Sequence, residues 1–433
     1  MPEDHEHPES TEPGRRSFLR GALGAGVGAG VAGVALGGAG GYALRASQPT
    51  PRAQLAADQA ESGRLPAVAF HGPYQAGILP ASQQQTSVIA FNATAEGRGE
   101  LTELMRALTS RARFLTTGGP PAPVGIGAPP SDSGTLGPNV VPDGLTVTVG
   151  VGSTLFDDRY GLAARKPGKL TPMRTFPDDE LDPAQVGGDL VVQLSAGHSD
   201  TVLHALRDIT RHTRGAMQIS WRMDGSTSPA RPSGTIPRNH FGFMDGISNP
   251  DVTDAATMKK LVWVDPSTSD EPAWTAGGSY FVVRLIRMLT EFWDRVAITE
   301  QENMIGRRRP SGYPLDANEI HATPNFSLDP SGAAIPLTAH LRLANPRTAP
   351  TADSRILRRA YNYDRGIDSV GNLDMGLLFT CYQQDLKRQF EAVQTRLIGE
   401  PMVDYITPFG GGYFFALPGV ADESDHFGRA LLA

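Results

Sequence analysis

Three short stretches of the sequence hold side chains that could do acid–base or metal chemistry. Asp245 stands in GFMDG as a lone carboxylate between two glycines. His340 stands among apolar neighbours in LTAHLRLANPR, and Arg358 follows in SRILRRAYNYD. A carboxylate can transfer a proton, a neutral imidazole can bind a metal, and a guanidinium can stabilise developing negative charge.

Each of these residues also has an ordinary structural interpretation. Asp-Gly is a common turn dipeptide, and Asp tolerates the backbone angles that such turns need. A histidine with Ala and Leu as neighbours is more often a core residue with a satisfied hydrogen bond than a ligand. Adjacent arginines, here Arg358 and Arg359, more often form a solvated or ion-paired surface. Taken together, however, an acid, a histidine and an arginine suit the two faces of a haem.

Composition excludes several classes of protein. The chain has 433 residues, 39% of them hydrophobic and 20% charged, so it is long enough for two domains with proper cores. The formal net charge of -7 argues against nucleic acid as a partner, because phosphate binding needs a basic surface. Cys381 is the single cysteine of the sequence, which excludes an intrachain disulfide and a CxxC metal site. Ten histidines leave a histidine-ligated cofactor such as haem open.

The first 46 residues have the pattern of an export signal. GRRSFLRG places Arg15 and Arg16 ahead of an uncharged run rich in glycine and alanine, residues 21–43. This is typical of a twin-arginine signal, which is read by the twin-arginine translocase. The run is also long enough for an uncleaved membrane anchor, although Gly and Ala are far less apolar than Leu or Ile. We predict a signal at 1–46 and a linker at 47–66, and hence a protein that is secreted or associated with the cell envelope.

The rest of the chain predicts strands and helices in a repeated order. In the first half the order is strand, helix, strand, strand, helix, strand, which is the ferredoxin-like arrangement. The six segments are SVIAFN, GELTELMRALTSRA, LTVTVGVG, DLVVQLS, DTVLHALRDITRHT and AMQISWRM. The second half is a variation on this order, with the strand GSYFVVRLIRM, a helix over LTEFWDRVAITEQENM, and later the strands GLLFTCYQ and GGYFFALPG. We therefore predict an α+β fold with ferredoxin-like domains at 67–235 and 236–433.

A long irregular region, from about Gly306 to Gly371, interrupts the second half. Irregular regions of that length inside a compact domain are usually functional or disordered. Because this one holds histidines and several arginines and few residues typical of disorder, we predict that it is functional. The stretch from Gly118 to Gly144, rich in Pro, Gly and Ser, is interpreted as a surface loop.

These ordered motifs resemble those of the dye-decolourising peroxidases, in particular the exported bacterial kind. The family's Gly-x-x-Asp-Gly motif stands here as Gly242 to Gly246, its proximal-histidine segment as AHLRLANPR, its distal arginine as Arg358, and its distal-pocket strand as GLLFTCYQ. GPYQAGI, GDLVVQLSA and PFGGGYFFALPG are also similar to the family, so the resemblance covers nearly the whole mature chain. One departure is Ala360, where glycine is common in relatives.

The resemblance implies a tandem ferredoxin-like fold, the dimeric α+β barrel-like fold shared with chlorite dismutases, with haem b bound mainly by the second half. It implies that His340 is the axial ligand of the haem iron. A carboxylate that accepts the proton of the other ring nitrogen would push electron density toward the iron, and the resemblance leaves Asp404 and Glu391 as alternative partners.

On the opposite face of the haem, the resemblance implies an acid and an arginine that act on peroxide. Asp245 would move the peroxide proton, and its flanking glycines would let the backbone approach the haem. Arg358 would stabilise the developing negative charge. Leu377 and Phe379 lie two apart on a strand, so they would either wall this pocket or be plain core residues.

Further residues are expected at the cofactor and at the surface. Arg307 and Arg359 are candidates for contacts with the haem propionates, with surface ion pairs as the equal alternative. Donors too large for the pocket would be oxidised at surface tyrosines or tryptophans, and we interpret the remaining histidines, including His71, His204 and His240, as structural. The tryptophans available are Trp221, Trp263, Trp274 and Trp293.

Three functions fit these expectations. The first is a haem peroxidase that reduces hydrogen peroxide through a ferryl (Compound I) intermediate and oxidises dye-like or phenolic donors. The second is a deferrochelatase-type release of iron from haem. The third is a non-catalytic haem carrier, which would have no need of Asp245 and Arg358. The family's habit of assembling also sets an expectation of a homo-oligomer.

Overall fold

The structure is a computed structural model that describes residues 63–227 and 236–433. The predicted signal at 1–46 and most of the predicted linker lie outside these residues, and so does the segment just before the predicted domain boundary at 235 and 236. These assignments therefore stay predictions. Within the described ranges, no helix is both long enough and apolar enough to cross a membrane.

Nine strands are present in the described part of the chain. They are β1 (Gln85–Ala93), β2 (Thr146–Gly152), β3 (Leu190–Ala196), β4 (Met217–Ser226), β5 (Ser279–Met288), β6 (Leu357–Arg358), β7 (Tyr361–Ile367), β8 (Leu373–Gln383) and β9 (Ile406–Ala416). Their order is β5-β9-β2-β3-β1-β4-β7-β8-β6, and β8 also pairs with β5. All these strand pairs are antiparallel, and the β5–β8 pair closes eight of the strands into a barrel. The short strand β6 pairs with β8 next to the part of β8 that pairs with β7.

The two halves contribute four strands each in the same spatial order. In the first half this order is β2-β3-β1-β4, and in the second it is β7-β8-β5-β9. In each half, the second strand of the chain is followed across the sheet by the third, the first and the fourth. This is the antiparallel order of a ferredoxin-like sheet. The predicted α+β tandem fold is confirmed, with the two sheets joined edge to edge through the β2–β9 and β4–β7 pairs.

The barrel has an interior core shared by both halves and an outer face that other segments cover. Strand residues alternate between the two faces. Val88 and Ala90 of β1 join Phe281 and Val283 of β5 in one buried cluster, which fills the interior. Residues of the opposite parity, such as Ile89, pack instead against the helices of the first half.

The helices of the described residues lie between the strands along the sequence, except the last, which follows β9. They are α1 (Arg98–Thr117), α2 (Ser199–His212), α3 (Ala255–Leu261), α4 (Thr290–Trp293), α5 (Ile298–Ile305), α6 (His340–Ala344), α7 (Ala392–Leu397) and α8 (Arg429–Leu432), and a π-helical turn at Lys387–Glu391 precedes α7. Helix α1 buries one face, which includes Leu101, Leu104, Met105 and Leu108 at helical spacing.

Two details of the predicted second half are wrong. The single helix expected at 289–304 is split into α4 and α5, because the side-chain amide of Gln301 donates hydrogen bonds to the carbonyl oxygens of Trp293 and Val296, where the first helix ends. The irregular region also contains two strands, β6 and β7, whose backbone pairs with β8. Strand β6 has only two residues, too few to show the period of two by which a strand is recognised in a sequence.

A buried ion pair ties the first half of the chain to β5. Arg284 and Asp179 have side chains that are 2% and 1% exposed, and Arg284 Nη1 donates to Asp179 Oδ2 at 3.1 Å, with a second contact from Nη2 to Oδ1. Removing one partner of such a pair leaves the other charge buried and uncompensated.

We therefore predict that Asp179→Ala lowers the free energy of unfolding by about 3–5 kcal/mol, measured by chemical denaturation. Asp182→Ala is the matched control, because Asp182 is an exposed acid that caps a short turn through Ala184 N–H. A similar loss of stability in both variants would show that the Arg284 pair has no special role.

Candidate active site

A cavity lies between the outer face of the second-half sheet and the irregular region. Its sheet wall is built from alternate residues of three strands, as the period of two requires. These are Arg284, Ile286 and Met288 of β5, Leu377 and Phe379 of β8, and Ile406 and Pro408 of β9. The structure thus places Leu377 and Phe379 in the cavity wall. Asp245, His340, Arg307 and Arg358 line the same cavity.

Asp245 is held by a tight loop whose flanking glycines have backbone angles that favour glycine. The φ angles are +83° at Gly242 and +88° at Gly246. A Cβ atom on Gly242 would also lie 2.7 Å from Arg309 Nε. The backbone N–H of Asp245 donates to Pro237 O at 2.9 Å. Turn geometry accounts for both glycines, and the close approach to a haem expected from the sequence stays a prediction.

Arg358 forms an ion pair with Asp245 inside the cavity. Arg358 Nη2 lies 3.1 Å from Asp245 Oδ1, and the two side chains are 28% and 19% exposed. The structure thus brings together the predicted acid and arginine, which are more than a hundred residues apart in sequence. A carboxylate and a guanidinium in contact can share the work of moving a proton and stabilising negative charge.

His340 is the first residue of α6, and its acidic partner is Glu400. His340 Nδ1–H donates to Glu400 Oε2 at 2.8 Å and to Oε1 at 3.0 Å, and the Glu400 side chain is 4% exposed. Burial lowers the pKa of His340, but the charge and hydrogen bond of Glu400 outweigh burial and the net pKa is raised. Among the described residues no group hydrogen-bonds the other ring nitrogen, so Nε2 is free to bind a metal.

The predicted partners of His340, Asp404 and Glu391, are both wrong. Asp404 is exposed on a short turn that follows Glu400, and Glu391 ends the π-helical turn. Glu400 lies 60 residues from His340 and stands in no local motif, so the sequence pattern alone offered no reason to choose it over its neighbours.

The cations of the cavity differ in part from those predicted. Arg307 is 7% exposed, donates to Gly312 O at 2.7 Å, and has a pKa that burial and the nearby Arg347 and Arg358 lower to about 10. Arg347 and Arg355 also line the cavity, and no carboxylate of the described residues pairs with Arg307, Arg347 or Arg355. Sequence reasoning missed Arg347 and Arg355, although Arg347 ends the quoted segment AHLRLANPR.

Arg359, predicted to contact a haem propionate, does not line the cavity. Its guanidinium donates to the carbonyl oxygens of Ile78, Pro80 and Ala81, and the residue is 5% exposed. Side chains of consecutive residues in an extended chain point to opposite sides. The side chain of Arg358 therefore points into the cavity, and that of Arg359 points away from it. Arg359 anchors an N-terminal segment to the barrel.

The tryptophans are buried, and the remaining histidines lie outside the cavity. All four tryptophans are at most 7% exposed, which is against the expectation of oxidation at surface tryptophans, while oxidation at surface tyrosines stays a prediction. Trp293 stacks on Phe241, which lines the cavity, with 4.3 Å between the ring centroids. His71, His204 and His240 lie outside the cavity lining and contact Arg113, Ser133 and the Tyr363 carbonyl respectively. Their contacts agree with structural roles.

The residues of the cavity fit a haem. The mostly apolar walls suit a flat porphyrin. Within the described residues one imidazole nitrogen has no hydrogen-bond partner, which suits the iron, and three arginines pair with no carboxylate, which suits the two propionates. In the described ranges there is no group of three or more His, Cys, Asp and Glu side chains placed to hold a metal ion by themselves.

Comparisons with known proteins agree with this site. Two family models match the chain, Dyp-type peroxidase, N-terminal, over residues 75–226, and Dyp-type peroxidase, C-terminal, over residues 236–421. A protein named deferrochelatase from Escherichia coli O157:H7 is 47% identical over 431 residues, which cover 97% of each chain. A deferrochelatase from Yersinia pestis is 46% identical over 366 residues, covering 84% of each.

Solved structures give the same assignment. The crystal structure of a DyP-type peroxidase from Cellulomonas bogoriensis is 33% identical with a TM-score of 0.76, covering 85% of this chain and 98% of that one. Ferric DtpA from Streptomyces lividans is 33% identical with a TM-score of 0.76, covering 85% and 97% of the two chains. The chain belongs to the Dyp-type peroxidase family and is a haem-dependent enzyme of the peroxidase kind.

Proposed function

We propose that the protein reduces hydrogen peroxide and uses the oxidising equivalents on small organic donors such as phenols or dyes. The observation that carries this proposal is the Asp245–Arg358 pair in the cavity that also holds His340 Nε2. Haem bound at His340 would supply a redox-active iron that binds peroxide. The protein's own residues then have to orient the cofactor, move a proton and stabilise charge.

Asp245 is the proton carrier of this proposal. Its Oδ1 is held by Arg358 at 3.1 Å, which leaves Oδ2 to accept the proton of the inner peroxide oxygen. The same oxygen returns the proton to the outer peroxide oxygen, which leaves as water. The positive charge of Arg358 stabilises the negative charge that develops on the peroxide during this transfer.

Glu400 fixes the imidazole from the other side. Accepting the Nδ1 proton holds the ring in one tautomer and one orientation, with Nε2 turned into the cavity. A carboxylate in this position also raises the donor strength of the imidazole. Leu377 and Phe379 line the cavity, and we propose that they favour the entry of a molecule the size of peroxide over that of a dye.

Release of iron from haem is the second candidate function, and the names of the E. coli and Yersinia relatives favour it. Removing iron with the ring intact requires two protons to take its place on the porphyrin nitrogens. Metal-free porphyrin is then the product, and it is detected by its fluorescence. A haem carrier is the third candidate, and rapid loss of haem to apo-myoglobin would favour it.

We also propose that the protein is exported by the twin-arginine pathway and acts in the cell envelope or outside the cell. The proposal rests on Arg15 and Arg16 ahead of the Gly/Ala-rich run. Assembly into a homo-oligomer is proposed from family resemblance alone, and sedimentation of the haem-loaded protein tests it.

We predict that Arg358→Ala and Asp245→Ala each slow the reaction of the haem-loaded protein with peroxide about 100-fold or more. Stopped-flow absorption in the Soret band measures this rate. Arg365→Ala is the control, because Arg365 of β7 pairs with Asp374 of β8 and does not line the cavity. A wild-type Soret band that never responds to peroxide, with metal-free porphyrin formed under reducing conditions, would replace the peroxidase proposal by iron release.

We predict that Glu400→Gln raises the reduction potential of the haem iron, because removing the negative charge beside His340 destabilises the ferric state. Spectroelectrochemical titration measures the potential. Asp404→Asn is the matched control, since it neutralises an exposed acid four residues away. Equal potentials in the wild type and Glu400→Gln would contradict the role given to Glu400.

We predict that replacing Arg15 and Arg16 together by lysine keeps the full-length protein in the cytoplasm. Lysine keeps the charge but not the guanidinium pair of the motif. Cell fractionation and immunoblotting measure the distribution. Normal export of the double variant would refute the twin-arginine proposal.

A further inference from the structure

Asn249 connects the loop of Asp245 to the backbone of Arg358. Its Nδ2 donates to Arg358 O at 2.8 Å, and its Oδ1 accepts from the backbone N–H of Arg358 at 3.0 Å. The side-chain amide thus makes both hydrogen bonds that a neighbouring strand would make to one residue.

Arg358 depends on this amide because its backbone groups face away from β8. Strand β6 consists of Leu357 and Arg358 and pairs with β8 on one edge. The backbone N–H of the next residue, Arg359, donates to Thr380 O of β8 at 2.8 Å, and Arg359 O accepts from the Thr380 hydroxyl at 2.6 Å. Backbone groups of consecutive strand residues point to opposite edges, so those of Arg358 point to the edge where Asn249 lies.

Asn249 is itself fixed relative to the acid. Its backbone N–H donates to Gly246 O at 3.1 Å, which closes a turn directly after Asp245. The turn that carries Asp245 therefore also carries the amide that holds Arg358. Asn249 does not line the cavity, so we place it outside contact with peroxide and cofactor.

We infer that Asn249 is a positioning residue, which sets the place of the Arg358 guanidinium relative to Asp245. The inference rests on the proposed function in so far as Arg358 acts on peroxide. The Asp245–Arg358 contact is a single long-chain ion pair, and such a pair does not fix a flexible side chain unless its backbone is fixed. The two hydrogen bonds from Asn249 supply that fixed point.

A double-mutant cycle on the haem-loaded full chain separates positioning from plain structural support. Asn249→Ala and the isosteric Asn249→Asp, which keeps an acceptor but loses the Nδ2 donor, are made in the wild type and in Arg358→Ala. If Asn249 acts through the guanidinium, its loss has no further effect once the guanidinium is gone. Asn325→Ala is the control, because Asn325 holds only the turn of Ser327.

The first readout is the second-order rate of the peroxide reaction. We expect Asn249→Ala to lower it about tenfold to a hundredfold in the wild type, as for a catalytic group misplaced by a fraction of an ångström to an ångström. In Arg358→Ala we expect no further loss, and Asn249→Asp should also be slower than the wild type, because a carboxylate oxygen then faces Arg358 O in place of the Nδ2 donor. Equal fold-losses in both backgrounds, or none in the wild type, would overturn the inference.

The second readout is the affinity of the ferric protein for fluoride, an anion that a nearby guanidinium stabilises without turnover. We expect Asn249→Ala to weaken fluoride binding in the wild type and to leave it unchanged in Arg358→Ala. This titration decides the inference even if the wild type does not react with peroxide, an outcome that would refute the proposed function alone. Weakening by the same factor in both backgrounds would show a merely structural role.

Discussion

Closure of the barrel leaves the second-half sheet with an outer face that has to be covered. The interior face of β5 is filled by residues such as Phe281 and Val283 together with side chains from the first half. In the first half, helices α1 and α2 cover the outer face, as in an ordinary ferredoxin-like unit. In the second half short helices and the long irregular region cover it, and the space between them and the sheet is the cavity. The site therefore depends on a sheet that is buried on both faces.

Strand alternation decides which side chains reach that cavity. Leu377 and Phe379 reach it because they are two apart on β8, and Arg358 reaches it while Arg359 does not because they are adjacent. The acid is placed by a different device, a loop with two glycines at positive φ. The loop and the strand are joined by Asn249, so that the geometry of the acid and the arginine depends on one side-chain amide.

Much of the fold could be predicted from the sequence because its strands and its long helices have clear periods. Patterns such as LTVTVGVG and GELTELMRALTSRA predict the order of strands and helices in the first half, and a second copy of that order predicts the tandem fold. The short elements could not be predicted, since β6 has only two residues and is held by its pairing with β8 and by the side chain of Asn249. The split between α4 and α5 likewise depends on a side-chain hydrogen bond from Gln301.

The site was accessible from the sequence where it lies in motifs and not where it depends on distant contacts. Asp245, His340 and Arg358 were found through the family resemblance, and the structure places them around one cavity. Glu400 was missed because its hydrogen bond to His340 spans 60 residues. The most direct test of the account is iron-edge anomalous diffraction from crystals of the haem-loaded protein. We predict one iron within bonding distance of His340 Nε2, with Asp245 and Arg358 on the opposite face of the haem. Iron bound elsewhere, or a haem whose opposite face lacks those two residues, would contradict the proposed site.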